Sequence, residues 1–183
     1  MMETDKAKKN KEGSILIVDD TPENLTVLRQ ILTEKGFRVR PAISGEIALK
    51  TVQTDIPDLI LLDIVMPNMD GYEVCRKLKA EKQTRNIPII FISALNELED
   101  KVKAFAEGGV DYITKPFQIT EVLARVTTHI SLHSLQKCLE KKNTDLQKAI
   151  DEVKQLRGFL PICASCKSIR DDKGYWERIE TYI

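Results

Sequence analysis

The chain has 183 residues, 42% of them hydrophobic and 31% charged, with Lys plus Arg equal to Asp plus Glu at 28 each. That apolar content supplies a sizeable core and excludes wholesale disorder, and the zero net charge gives no electrostatic case for direct binding of nucleic acid. Residues 1–13 are Lys-rich without an apolar stretch, which excludes a secretory signal and reads as a disordered tail, and no apolar run is long enough to span a bilayer; the expectation is a soluble, cytoplasmic protein without membrane contact.

From Ser14 to about His133, β-rich runs alternate with helical patterns. Ile15-Leu16-Ile17-Val18 is a continuous apolar run, the mark of a strand covered on both faces. Thr21-Pro22-Glu23 then opens a helix with a capping residue, a proline in the first turn and an acid. Leu25, Leu28, Ile31 and Leu32 form its apolar stripe, and Gly36 stops it. Phe37 to Ala42 is a second strand. Ser44 caps a helix carrying Ile47, Ala48 and Val52. Leu59 to Leu62 is a third strand, Asp70-Gly71 a turn, and Tyr72 to Lys82 a helix. Ile87 to Ile92 is the fourth strand, Glu97 to Glu107 a helix closed by Gly108-Gly109, and Val110 to Ile113 the fifth strand. A further helix begins near Phe117. Five β/α repeats in this order predict an α/β fold, an open parallel sheet wrapped by helices on both faces. Ligands of such sheets bind beyond the strand carboxyl ends, where the strand order reverses.

The polar residues fit that rule. Asp19 and Asp20 follow the first strand, Asp63 the third, Ser93 the fourth, and Lys115-Pro116 the fifth. A single acid at a strand end is often a helix cap or a solvated loop residue. Five polar groups of suitable type, each after the appropriate strand, converge on one rim. Three carboxylates brought together repel one another unless a cation relieves them, and Mg²⁺ suits one or two carboxylates with waters and phosphate oxygens. A carboxylate nucleophile, a metal, a lysine and a hydroxyl donor together form a phosphoryl-accepting site, where catalysis is mostly positioning and charge neutralisation.

Ile-Val-Asp-Asp at 17–20, Leu-Asp-Ile-Val-Met-Pro at 62–67 with Asp70-Gly71, Ile-Ser-Ala at 92–94 and Asp-Tyr-Ile-Thr-Lys-Pro-Phe at 111–117 carry a resemblance. Residues 14 to about 133 resemble the receiver domain of two-component response regulators. The resemblance implies a flavodoxin-like doubly wound sheet of strand order 2-1-3-4-5. It implies that Asp63 accepts phosphate from a histidine kinase or phosphotransfer protein. Asp20 would ligate Mg²⁺ directly, Asp19 mainly through water, with Asp63 and the backbone carbonyl of Val65 completing the protein ligands. Lys115 would bind the phosphoryl group, Ser93 would turn inward to it, and Tyr112 would follow as an aromatic switch. Tyr112 on its own reads equally as packing. The Lys115–Pro116 bond is expected to be cis. Val65 and Leu95 occupy positions that tune phosphate lifetime; both are apolar, which implies a long-lived phosphoryl state. The alternative is a Mg²⁺-dependent phosphohydrolase using Asp63 transiently, but such enzymes usually place a general acid two residues on, where Val65 stands. The chain is otherwise not expected to be an enzyme.

The helical pattern continues past the receiver. Leu132, Leu135, Leu139, Lys142, Leu146, Ala149, Val153, Leu156 and Leu160 recur in steps of three and four, a heptad seam uninterrupted by Pro or Gly until Gly158. The readings are a helix folded back on the receiver or, preferred, a parallel homodimer through residues 132–160. His129 and His133 read as solvated helix residues. Among four cysteines, Cys163 and Cys166 have the spacing of half a zinc site. The tail resembles a cysteine-containing signalling module in which a second cysteine pair follows the Gly-Tyr-Trp stretch; two paired chains could instead share one ion. The expected divisions are thus 1–13 tail, 14–133 receiver, 134–160 coiled-coil linker and 161–183 partial module.

Overall fold

The computed structural model describes residues 13–94, 98–157, 166, 168–170 and 176–178. The expected tail over 1–12, together with Leu95 and Cys163, lies outside the described residues. The chain divides into two compact units, residues 1–135 and 136–183.

The first unit contains strands β1 (Ser14–Val18), β2 (Arg38–Ala42), β3 (Leu59–Asp63), β4 (Ile89–Ser93) and β5 (Asp111–Thr114). Between them run α1 (Pro22–Glu34), α2 (Gly45–Thr54), α3 (Gly71–Ala80) and α4 (Leu98–Ala106), and α5 (Ile119–Arg157) follows. The five strands are parallel in the order β2-β1-β3-β4-β5, as expected from the resemblance. The apolar runs are buried because alternate residues face opposite layers. Leu16, Val18, Ile60, Leu62 and Phe91 pack with Val52 of α2, Val74 of α3 and Ala104 of α4. Ile15, Ile17, Leu59, Leu61, Ile90 and Ile92 pack with Leu25 and Leu28 of α1 and Val122 and Val126 of α5. Each fully buried aliphatic side chain contributes about 1.5–3 kcal/mol of transfer free energy.

Local chemistry sets most of the element ends. Gly36 adopts φ 97°, a left-handed conformation that suits glycine, and ends α1. Ser44 caps α2 by accepting from the Ile47 amide, and Asp70 caps α3 by accepting from Glu73 at 2.7 Å. Thr21 makes no side-chain cap bond; its own amide donates to the Asp19 carboxylate at 2.8 Å instead. The fourth strand starts two residues later than expected, beyond Pro88, which lacks an amide to donate. Ile87 is still buried. Ile47 is 41% exposed, so only Ala48 and Val52 of its stripe reach the core.

The histidine expectation is corrected. His133 is buried, and His129 Nε2 lies 3.0 Å from Asp111 Oδ2, a residue that also accepts from Arg125 at 2.6 Å. They are not solvated because this stretch of α5 still packs on the sheet.

In the second unit, α5 continues through residues 136–157. Two short strands, β6 (Ser168–Arg170) and β7 (Trp176–Arg178), pair antiparallel. This pair was not expected from the sequence.

Candidate functional site

The strand order reverses between β1 and β3, and the candidate residues gather at that rim. One carboxylate oxygen from each of Asp19, Asp20 and Asp63 lies within 4.8 Å of the others. Asp19 and Asp63 are buried and Asp20 is exposed. Lys115 Nζ, brought in by the segment after β5, donates to Asp19 Oδ2 at 2.8 Å and to Asp63 Oδ2 at 2.6 Å. The Lys115–Pro116 bond is cis. Four of the expected residues therefore meet.

The electrostatics follow from sharing one ammonium between two enclosed acids. Burial pushes the Asp63 carboxyl above its ordinary value; Lys115 pulls against this, and the Asp19 charge reinforces it. Burial disfavours the charge on Lys115, but its hydrogen bonds to Asp19 and Asp63 outweigh that and hold its pKa above normal. One positive charge against three carboxylates leaves the pocket net negative. That imbalance, with hard oxygen donors at short separation, fits a divalent cation such as Mg²⁺.

Ser93 and Tyr112 lie beside the acids. Ser93 is fully buried at the end of β4, and Tyr112 is 6% exposed on the adjacent β5. Burial raises the Tyr112 pKa, and a side-chain hydrogen bond with Ser93 opposes the rise. Tyr112 already points inward here and touches the residue it was expected to follow. Val65 is exposed, and its amide donates to Asp63 Oδ1 at 3.4 Å. Cys166 is exposed, with Sγ 3.3 Å from Ser168 Oγ.

Two contributors were missed from the sequence. Asn24, in the first turn of α1, donates through Nδ2 to both oxygens of Asp19 at 3.1 and 3.0 Å. Gly71 lies against the phosphoacceptor candidate's own backbone: a Cβ there would fall 2.2 Å from the Asp63 carbonyl oxygen. Its amide donates to the Ile64 carbonyl at 2.9 Å. The signal for Asn24 was its place one turn into a helix that starts directly after the acids; Gly71 was legible only as a turn residue.

Residues 15–127 match the family described as the response regulator receiver domain. Over 112 residues the chain is 43% identical to the response regulator PleD of Caulobacter vibrioides, covering 61% of this chain and 25% of that protein. It is 39% identical over 137 residues to a probable cyclic di-GMP phosphodiesterase of Vibrio cholerae, covering 75% of this chain and 31% of that protein. The chain thus spans about a quarter to a third of these relatives. Among solved structures, a putative response regulator from Chloroflexus aurantiacus aligns with TM-score 0.63 at 33% identity, covering 65% of this chain and 98% of that one.

Proposed function

The chain belongs to the response regulator receiver domain family, and from that premise we propose that Asp63 accepts a phosphoryl group from a histidine kinase or phosphotransfer protein and thereby switches an output. The observation that carries this reading is the convergence of Asp19, Asp20 and Asp63 at the sheet's reversal point with Lys115 bridging two of them. An oxygen of Asp63 attacks phosphorus while the bond from phosphorus to the donor nitrogen or oxygen breaks, giving an aspartyl phosphate. Asp19, Asp20, Asp63 and the Val65 carbonyl would hold Mg²⁺, which when bound supplies charge neutralisation for the carboxylates and phosphoryl oxygens. Lys115 transfers its hydrogen bond from the Asp63 carboxylate to the phosphoryl group. Ser93 donates to the same group, and Tyr112, already in contact with Ser93, reports its position to the α4–β5–α5 surface.

The finer organisation is part of the same proposal. Residues 14–133 act as the receiver, 134–160 as a coiled-coil linker in a parallel homodimer, and 161–183 as part of a cysteine-containing module in which Cys163 and Cys166 contribute to a zinc site. The dimer reading is supported by Leu132, Leu135, Leu139 and Leu146, which are between 51% and 71% exposed in the single chain. The balanced charge supports a protein target over nucleic acid. Among the described residues, no helix is long and apolar enough to cross a membrane. Apolar Val65, with Leu95, supports slow loss of the phosphoryl group.

Incubation with acetyl phosphate and Mg²⁺, followed on phosphate-affinity gels, tests the reading. Stoichiometric labelling that requires Mg²⁺, and is absent in Asp63→Asn, is expected. Continuous release of phosphate over many turnovers without an accumulating phosphoprotein would instead favour the phosphohydrolase.

A further inference from the structure

Asp19 is 2% exposed, the most enclosed acid of the site. Its Oδ1 accepts from the Thr21 amide at 2.8 Å and from Asn24 Nδ2 at 3.1 Å. Its Oδ2 accepts from Asn24 Nδ2 at 3.0 Å and from Lys115 Nζ at 2.8 Å. An ionised carboxylate offers about four lone-pair sites, and Thr21, Asn24 and Lys115 together cover most of them.

This arrangement creates a conflict. Lys115 serves Asp19 and Asp63 together. To follow a phosphoryl group on Asp63, the ammonium must loosen from Asp19. A buried carboxylate that loses its partner is costly, more so than one that never had it. Asn24 is the side chain placed to absorb that loss. It sits on α1, off the strand ends that carry the other groups, and lines an open groove with Ala94, Lys115, Pro116 and Phe117. Its amide carries no net charge, so it holds Asp19 without competing with the metal for the site's negative potential.

We propose that Asn24 is a positioning residue for phosphoryl acceptance: by donating to both oxygens of Asp19 it keeps that carboxylate in place and releases Lys115 to Asp63. This rests on the reading of Asp63 as the phosphoacceptor. Without Asn24, Lys115 is held more tightly by Asp19 and serves the incoming phosphoryl group less well, while the three acids that attract Mg²⁺ remain. Rate and metal affinity must therefore separate.

The test uses the full chain with acetyl phosphate as donor and isothermal titration of Mg²⁺ without any donor. In Asn24→Ala the labelling rate at saturating Mg²⁺ is expected to fall about tenfold, while Mg²⁺ affinity stays within about threefold of the parent; the melting temperature falls modestly because the buried Asp19 loses a donor, with the variant still folded at the assay temperature. Asn24→Asp keeps the shape but loses the donor, and should be at least as slow. Asn24→Ser, whose hydroxyl can donate, should recover part of the rate. Labelling of Asn24→Ala at the parental rate would overturn the proposal. So would a parallel loss of rate and metal affinity, or parental activity in Asn24→Asp. Failure of the unsubstituted chain to label at Asp63 would overturn the phosphoacceptor reading itself, and is seen before any Asn24 variant is made.

Discussion

A single helix, α5, shows two kinds of apolar stripe. In its first part Val122, Val126 and Ile130 are 1%, 0% and 9% exposed. Further along, Leu135, Leu139 and Leu146 are 66%, 71% and 60% exposed. The residue types are alike and the helical period is shared; what differs is whether the described residues supply a covering layer. Periodicity locates an apolar face, and only the fold tells whether that face is filled. The receiver unit answers this internally, with its sheet covered on both sides. The extension carries the same kind of face exposed.

The largest effect should come from breaking the closely packed region. Gly71→Ala places a methyl group onto the Asp63 carbonyl, and is expected to cost about 2–4 kcal/mol in urea unfolding and to slow labelling by displacing Asp63. Retained stability within about 0.5 kcal/mol would mean that α3 is free to move back from β3, and that the site is less tightly built than its geometry implies.

The uncovered region responds in the opposite sense. Lys142→Leu completes the seam and should tighten self-association about tenfold in analytical ultracentrifugation. Leu139→Lys with Leu146→Lys should leave the chain monomeric at concentrations where the parent pairs, with the receiver's unfolding midpoint unchanged. A parent that is monomeric throughout, with or without phosphorylation, would remove the homodimer from the account.

Two buried acids sharpen the comparison through pH. Burial raises the pKa of Asp63 above its ordinary value of 3.8, so its ionisation costs the folded state. Asp63→Asn should stabilise the fold at pH 7. The gain should fade as pH falls and vanish below about 3.8, where the parent is protonated folded and unfolded. Asp111 has the opposite sign. Burial works against its charge, but Arg125, the Tyr112 amide and His129 together lower its pKa. It contributes stability that is present above the ordinary carboxylate range and lost as pH falls through its lowered value. Asp111→Asn should therefore destabilise the fold at pH 7 and do so less in strong acid. Unfolding curves of both variants across pH check the pair of signs.

Much of this was legible beforehand, and the reasons divide cleanly. The strands were readable because Ile15–Val18, Leu59–Leu62 and Ile89–Ile92 are unbroken apolar runs, which a doubly covered sheet requires. Asp19, Asp63 and Ser93 were readable because each ends or follows such a run, and Lys115 because it follows the short fifth strand and precedes Pro116. Asn24 and Gly71 were not, because their roles arise through space: one from where α1 begins relative to β1, the other from the approach of α3 to β3. His129 and His133 were misread because the seam pattern runs on without marking where α5 leaves the core. β6 and β7 are three residues each, too short for a periodic signal. The heptad seam was legible as a face, and Leu135, Leu139 and Leu146 of it are exposed.

The central claim is that Asp63 carries the phosphoryl group. Borohydride reduction of the phosphorylated chain converts an aspartyl phosphate to homoserine, which peptide mapping by tandem mass spectrometry then locates. The account predicts homoserine at position 63, formed only when Mg²⁺ and a phosphodonor are both present. Conversion at Asp19 or Asp20, or equal conversion without Mg²⁺, would contradict it.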